Sequence, residues 1–77
     1  MEIGERLQQL RKEKGISQEK LAEQLHVTRQ AVSKWETGQS YPDLDNLGAL
    51  CKLYGVTADY ILYGEDTKLR KTYFIKR

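Results

Sequence analysis

Apolar residues recur at helical spacing along most of the chain and divide residues 1 to 64 into five predicted helices. The first covers about residues 2 to 14, where Ile3, Leu7 and Leu10 form an apolar stripe and a cationic last turn precedes a glycine. Each later helix opens at a Ser, Thr or Asp, because these side chains accept hydrogen bonds from the free N–H groups of a first turn. The expected N-caps are Ser17, Thr28, Asp43 and Thr57.

The remaining boundaries follow from glycines and loops. The second predicted helix spans about residues 17 to 24 and the third about residues 28 to 36, with Gly38 after it. A loop over residues 37 to 42 leads to the fourth helix, and a short fifth helix ends at Gly64. The inward side chains are expected to be Leu21, Ala22 and Leu25, then Ala31, Val32 and Trp35, then Leu44, Leu47, Leu50, Cys51 and Tyr54. This pattern predicts an all-α fold.

The second and third helices are joined by a short turn, which is typical of a helix-turn-helix. Crossing helices need a small residue where they meet, and Ala22 has that position in the pattern. Trp35 lies three residues after Val32, so a place in the core is favoured over a stacking platform for single-stranded nucleic acid. The apolar residues expected to hold the two helices together are Leu21, Leu25, Val27, Val32 and Trp35.

The segment SQEKLAEQLHVTRQAVSKWETGQSYPDLDNLGALCKLYGVTADYIL is similar to the lambdoid phage repressor and Cro type of helix-turn-helix, the xenobiotic-response-element family of transcription regulators. The resemblance covers about residues 3 to 64. Its most specific elements are the Ser17-Gln18 opening, the V-T-R-Q-A-V-S-K-W-E-x-G string, and the Pro42-Asp43-Leu44 and Gly55-Val56-Thr57 steps. It implies a compact five-helix repressor-like bundle, with the helix-turn-helix at about residues 17 to 36, that binds operator DNA, usually as a two-fold dimer.

His26 departs from the family pattern, which usually has glycine in this turn. The backbone there tends to be left-handed, which costs energy for a residue with a Cβ atom. Histidine visits positive φ more readily than most residues, so we expect the turn to be kept with some strain. Since the chain has no second histidine and no cysteine nearby, we interpret His26 as a turn residue and not as a metal ligand or a pH switch.

The polar face of the third helix is the predicted DNA-reading surface. The N-terminus of a helix favours phosphate, and the major groove admits a helix inserted by that end. Arginine can donate two hydrogen bonds to guanine, and glutamine can pair with adenine. The residues expected to face bases or phosphates are Thr28, Arg29, Gln30, Ser33 and Lys34. Alone, such a face is more often simply exposed to solvent, and for any single side chain this alternative remains.

The resemblance also implies contacts around that helix. Gln18 would bind a backbone phosphate and brace Gln30, and such contacts fix register without reading sequence. Arg11, at the end of the first helix, would pair with Glu36 at the end of the third in a structural role. The loop residues expected to contact phosphate on the other side are Gln39, Ser40 and Tyr41.

Composition narrows the remaining functions. The 77 residues include one cysteine, Cys51, so neither an internal disulfide nor a CxxC pair is available. We interpret Cys51 as a small buried hydrophobe, which fits a reducing, cytoplasmic compartment. Neither a signal peptide nor an apolar run of roughly 20 residues is visible. We expect a soluble, cytoplasmic protein with no membrane association, no enzymatic activity, no metal, no cofactor and no small-molecule ligand.

Charge is unevenly distributed. Residues 1 to 64 carry eight Lys or Arg against nine Asp or Glu, whereas residues 65 to 77 carry five against two. The helical part can therefore bind a polyanion only through the placement of its charges. The basic tail, 65 to 77, has no clear periodicity and is interpreted as a frayed tail, an edge strand, a dimer arm or a linker. Its cations, expected in solvent or in a nonspecific DNA arm, are Lys68, Arg70, Lys71, Lys76 and Arg77.

Together these features predict a DNA-binding domain at 1 to 64 that regulates transcription, more often as a repressor, as a homodimer on double-stranded, roughly palindromic DNA. One alternative is an antitoxin-like protein-interaction module with secondary DNA binding. It is favoured by apolar residues that a small monomer would leave unburied, namely Tyr60, Ile61, Tyr63 and the TYFI stretch at 72 to 75. Another is the front end of a longer architecture, with the basic tail as its remnant.

Overall fold

The computed structural model describes residues 2–64, which form five α-helices and, within that range, no strand. The predicted all-α fold is confirmed, and every predicted helix boundary lies within one residue of the observed one. The basic tail at 65 to 77 and the interpretations placed on it lie outside the described residues. The helices are α1 (Ile3–Lys14), α2 (Gln18–Leu25), α3 (Arg29–Thr37), α4 (Leu44–Tyr54) and α5 (Ala58–Tyr63).

Side-chain caps determine where α2 to α5 begin. The predicted N-caps each accept a hydrogen bond from the backbone N–H three residues later, at 2.9 to 3.0 Å: Ser17, Thr28, Asp43 and Thr57. The first helix has a cap that the sequence analysis did not identify, a reciprocal capping box between Glu2 and Glu5. Such a cap contributes about 1 kcal/mol to the stability of its helix. The formation of the short helices is therefore favoured by local contacts before the helices pack together.

Every helix contributes at least one fully or almost fully buried apolar side chain to a single core. Val32 and Ile61 are completely inaccessible, and Trp35 is only 6% exposed, so its predicted place in the core is confirmed. Cys51, which was expected to be buried, is only partly buried, and it packs against the same cluster. The core residues are Leu7, Leu21, Ala22, Val32, Trp35, Leu50 and Ile61.

Two apolar residues are placed differently from the prediction. Leu44 was expected to point inward but is 84% exposed. It begins α4, and at roughly 100° per residue it lies at the edge of the face that Leu47, Leu50 and Tyr54 turn inward. Ile61 was expected to remain unburied but is 0% exposed, because α5 packs against both α1 and α4.

Gly4 allows α1 to approach the backbone of α3. A Cβ atom at this position would lie 2.6 Å from the carbonyl oxygen of Glu36 and 2.7 Å from that of Trp35. These distances are shorter than van der Waals contact, and the atoms concerned belong to the backbone, so neither can move aside alone. The spacing of α1 and α3 therefore depends on glycine at this position.

Arg6 is a buried cation of α1 that stabilises the end of α5. Its Nε donates to the carbonyl oxygen of Ile61 at 2.8 Å, and its Nη2 donates to that of Leu62 at 2.9 Å. The last carbonyl groups of a helix lack intrahelical partners and carry partial negative charge, so a cation there is favourable. This contact fixes the short α5 on α1.

Candidate nucleic-acid interface

The turn between α2 and α3 has the left-handed backbone that the sequence analysis expected. His26 has φ 60° and ψ 41°, and it is the one non-glycine residue at positive φ within residues 2–64. The backbone N–H of Val27 donates to the carbonyl oxygen of Ala22 at 3.0 Å, which closes the turn. Ala22 is buried, as a small residue between the two helices is expected to be.

Helix α3 divides into a buried face and an exposed face. The buried face carries Val32, Trp35 and Glu36. On the other face the predicted reading residues are exposed, apart from the half-buried Ser33, and the hydroxyl of Thr28 is engaged as the N-cap. An open depression in this surface is lined by Arg29, Gln30, Ser33, Lys34 and Gln39.

Two of the predicted phosphate contacts lie outside this depression. Ser40 and Tyr41 do not line it, although both directly follow Gln39 in the sequence. The ring of Tyr41 is largely exposed and borders an apolar groove, whose other lining residues are Ile3, Pro42, Leu47, Ile61 and Leu62. The structure therefore brings Gln39, and not the whole loop, next to the reading residues.

The predicted pairing of Arg11 with Glu36 is confirmed as a buried ion pair. Arg11 Nε lies 2.7 Å from Glu36 Oε2, and Arg11 Nη2 lies 3.1 Å from Glu36 Oε1. The two side chains are 10% and 2% exposed, and the hydrogen bond to the carboxylate raises the pKa of Arg11. Arg11 Nη1 also donates to the carbonyl oxygen of Ile16 at 2.8 Å, so one guanidinium ties α1 to α3 and to the start of α2.

Gln18 connects this ion pair to the first residue of α3. Its Nε2 donates to Glu36 Oε1 at 3.0 Å, and its Oε1 accepts a hydrogen bond from Arg29 Nη1 at 3.4 Å. The resemblance implied a brace to Gln30, but the side chain that Gln18 contacts in this structure is Arg29. Arg29 is the first residue of α3 and lies beside the first residue of α2, whereas Gln30 is turned about 100° further round the helix.

The exposed face of α3 is positively charged. Arg29 and Lys34 are both exposed, and the only acidic residue of the helix, Glu36, is buried against Arg11. On the other helices, by contrast, the cations Arg6 and Arg11 donate to internal acceptors, and Lys20 lies 3.9 Å from Glu23. Positive charge without a neighbouring exposed carboxylate on the same helix suits a polyanion.

Two further properties concern the described part of the chain. No group of three His, Cys, Asp or Glu side chains in it is placed to hold a metal ion. None of the helices between residues 2 and 64 combines the length and the apolar content needed to span a bilayer.

The comparison of sequences identifies the family. A family profile described as helix-turn-helix matches residues 7–61. The chain belongs to the helix-turn-helix family, in its Cro/C1 type. This confirms the family resemblance noted in the sequence.

Several curated members of the family are similar to this helix-turn-helix chain. The transcriptional activator BcrR of Enterococcus faecalis is 52% identical over 66 residues, which cover 86% of this chain and 32% of BcrR. The regulator YonR of Bacillus subtilis is 44% identical over 62 residues, or 80% of this chain and 57% of YonR. The C2 repressor of Salmonella phage P22 is 34% identical over 71 residues, or 92% and 33%. The chain thus spans between about a third and somewhat more than half of these relatives.

A solved structure supports the same relationship. The crystal structure of the P22 c2 repressor in complex with a synthetic operator superposes with a TM-score of 0.80 at 35% identity. The superposition covers 84% of this chain and 98% of the repressor chain. The five-helix repressor-like bundle is therefore confirmed.

Proposed function

We propose that this protein binds double-stranded operator DNA sequence-specifically and regulates transcription, as a repressor. The observation that carries the proposal is the exposed face of α3, where Arg29, Gln30 and Lys34 surround a depression while the acidic residue of the helix is buried. The similarity to a repressor that was crystallised with a synthetic operator supports the same function.

The side chains of the α3 face have different roles in this proposal. Arg29 and Gln30 read base edges, since their hydrogen-bonding groups match guanine and adenine. Ser33 and Lys34, one turn later, contact a further base or a phosphate. The residues that hold the backbone are Thr28 at the helix N-terminus, Gln18, and the loop residues Gln39, Ser40 and Tyr41.

Regulation would follow from occupancy of the operator. Two copies place α3 in successive major grooves about one helical turn apart, so the operator is roughly palindromic. Residues 1 to 64 form the DNA-binding unit, and the basic tail serves as a dimer arm or a linker. BcrR is described as an activator, so reporter transcription with and without the protein determines the direction of the effect. In this role the protein acts in the cytoplasm and has no catalytic activity.

The test is selection of binding sites from random duplex DNA, followed by affinity measurements on the selected duplex. Arg29→Ala is expected to relax preference at one base pair by about 5- to 150-fold, because a bidentate base contact is lost. Lys52→Ala, which removes an exposed cation from α4, is the control and should leave the preference unchanged. If Arg29→Ala alters neither affinity nor preference, α3 does not read the sequence.

An antitoxin-like interaction module is the second candidate, and exposed apolar residues favour it. Tyr63 is 70% exposed, Leu44 lies open to solvent, and an apolar groove lies beside Tyr41. The mass in solution, measured with and without a palindromic duplex, separates the candidates. A dimer on DNA supports the regulator, whereas a monomer that does not bind the duplex supports the interaction module.

A further inference from the structure

We propose that the TYFI stretch of the basic tail, residues 72 to 75, binds in the apolar groove of the same chain. TYFI itself lies outside the described residues. The inference goes beyond the proposed DNA binding, because the groove and the depression on α3 share no lining residue. The residues that line the groove are Ile3, Tyr41, Pro42, Leu47, Ile61 and Leu62.

The size and the lining of the groove suit an aromatic side chain. Its volume is about 190 Å³, and every lining side chain is aliphatic or aromatic. An apolar cavity of about 150 Å³ is large enough to bind benzene, so the groove can receive a phenyl ring. Phe74 is the only phenylalanine of the chain, and Tyr73 and Ile75 flank it. Burying these side chains in the groove removes apolar surface on both sides from water.

The tail begins next to the groove. Leu62 lines the groove and precedes Gly64, the last described residue, by two positions. Gly64 has φ 76° and ends α5, and a Cβ atom on it would lie 3.0 Å from Arg6 Nη1. The chain therefore leaves α5 beside α1, the helix that contributes Ile3 to the groove. From Gly64 to Thr72 an extended chain spans up to about 28 Å, which is enough to return to the groove.

Charge at the rim of the groove is complementary to the tail. Glu2 and Glu5 are exposed and line the depression next to the groove, which shares Ile3 and Tyr41 with it. The residues on either side of TYFI are basic: Lys71 precedes it, and Lys76 and Arg77 follow it. Exposed ion pairs contribute little affinity, but complementary charges favour one orientation of the tail.

The tether favours the chain's own tail over that of a second copy. Seven residues, 65 to 71, join TYFI to the end of α5, and they act as the linker of the proposed function. A short tether gives an effective concentration in the millimolar range. Burial of one Phe and one Ile side chain is sufficient for a dissociation constant of this order. In a micromolar solution a second copy cannot compete at this concentration.

The experiment is NMR spectroscopy of the full chain, with Phe and the methyl groups of Leu and Ile isotopically labelled. Because the chain contains one phenylalanine, the ring signals belong to Phe74 without ambiguity. Nuclear Overhauser effects are expected between this ring and the methyl groups of Leu47, Ile61 and Leu62. They should be absent from an equal mixture of chains labelled only at Phe and chains labelled only at methyl groups, because the contact lies within one chain.

Substitutions in the full chain test the same contact by thermal unfolding. Phe74→Ser should abolish these effects and lower the melting temperature by about 4 °C or more, because its ring no longer leaves water. Leu69→Ser is the matched control, since it removes an apolar side chain from the tail outside TYFI and should leave the melting temperature unchanged. Tyr41→Ala, at an exposed position of the groove, should lower the melting temperature of the wild type but not that of Phe74→Ser.

Two results would overturn the inference. Ring-to-methyl effects that appear only in the mixed sample would show that the groove receives the tail of a second copy. If the ring shows no contact with the groove and Phe74→Ser melts at the same temperature as the wild type, the tail does not bind there.

Discussion

At the scale of single residues, His26 concentrates the backbone strain of the helix-turn-helix. Its φ of 60° is disfavoured for a residue with a Cβ atom, and the α2–α3 crossing depends on it. We therefore expect His26→Gly to keep the fold and to raise the free energy of unfolding by up to about 1 kcal/mol. His26→Ala, which keeps the Cβ atom, is the matched control and should not be stabilised. Thermal unfolding measures both, and a clear fall in melting temperature for His26→Gly would contradict this account of the turn.

Tyr54 is a second residue whose conformation in the folded protein costs free energy. Its hydroxyl is buried without a hydrogen-bond partner in the described part of the chain. Burial, with a smaller contribution from the Glu36 carboxylate, raises the pKa of Tyr54 to about 12, although Arg11 opposes the shift. The folded protein therefore holds this proton over a pH range in which the unfolded chain releases it.

This difference predicts alkaline destabilisation. The phenol of the unfolded chain ionises near pH 10, so stability should fall as the pH rises from about 10 to about 12. Tyr54→Phe should lose this component and, at neutral pH, be unchanged or up to about 1 kcal/mol more stable, because no hydrogen bond is broken. Denaturant unfolding across this pH range measures the difference, with Tyr63→Phe as the exposed control. An equal alkaline loss in wild type and Tyr54→Phe would contradict the assignment.

At the scale of the helices, Gly4 controls the spacing of α1 and α3. Gly4→Ala places a Cβ atom against the backbone of α3, so we expect it to lower the free energy of unfolding by about 2 kcal/mol or more. Gly48→Ala is the matched control, because apart from the local helix backbone no atom lies within 4 Å of a Cβ at this position in α4. It should stabilise the protein by about 0.5 to 1 kcal/mol, the helix preference for alanine over glycine. Urea unfolding distinguishes the two, and equal effects would show that the close approach at Gly4 is not limiting.

The helices themselves were predictable because their signals are local. The caps at Ser17, Thr28, Asp43 and Thr57 act on N–H groups three residues away, and the apolar period lies within each helix. What the sequence did not reveal depends on contacts distant along the chain. Gly4 meets residues 35 and 36, and Arg6 meets residues 61 and 62, and nothing near either residue indicates the partner.

In the candidate site, too, the features set by local signals were predictable and the contacts between helices were not. The outward face of α3 follows from its period, so its exposure was predicted correctly. The partner of Gln18 was not, because a shift of one residue turns a helical side chain by about 100° and exchanges Arg29 for Gln30. Leu44 was placed wrongly for a related reason, since it lies at the edge of the inward face of α4 and periodicity does not fix where that face ends.

At the scale of the whole molecule, the placement of charge predicts how DNA affinity depends on salt. Arg29 and Lys34 are the exposed cations of α3, so a dimer brings about four to the DNA, and log K should fall with log salt with a slope of about −4. Affinity titrations over a range of salt concentrations measure the slope, and a chain ending at Gly64 should give the same value. A slope near −10 that falls on this truncation would show that the basic tail also neutralises phosphate.

The inner side of α3 holds it to the bundle, through the backbone approach at Gly4 and the carboxylate of Glu36. Its outer side chains can therefore be substituted. In the proposed mode of binding, exchanging positions 30, 33 and 34 as a set would redirect the protein to a different operator without altering the packing of the bundle. Position 29 is less free, since the oxygen that Gln18 presents accepts only a donor. A graft of foreign specificity onto this scaffold would therefore have to carry residues 18 and 29 together.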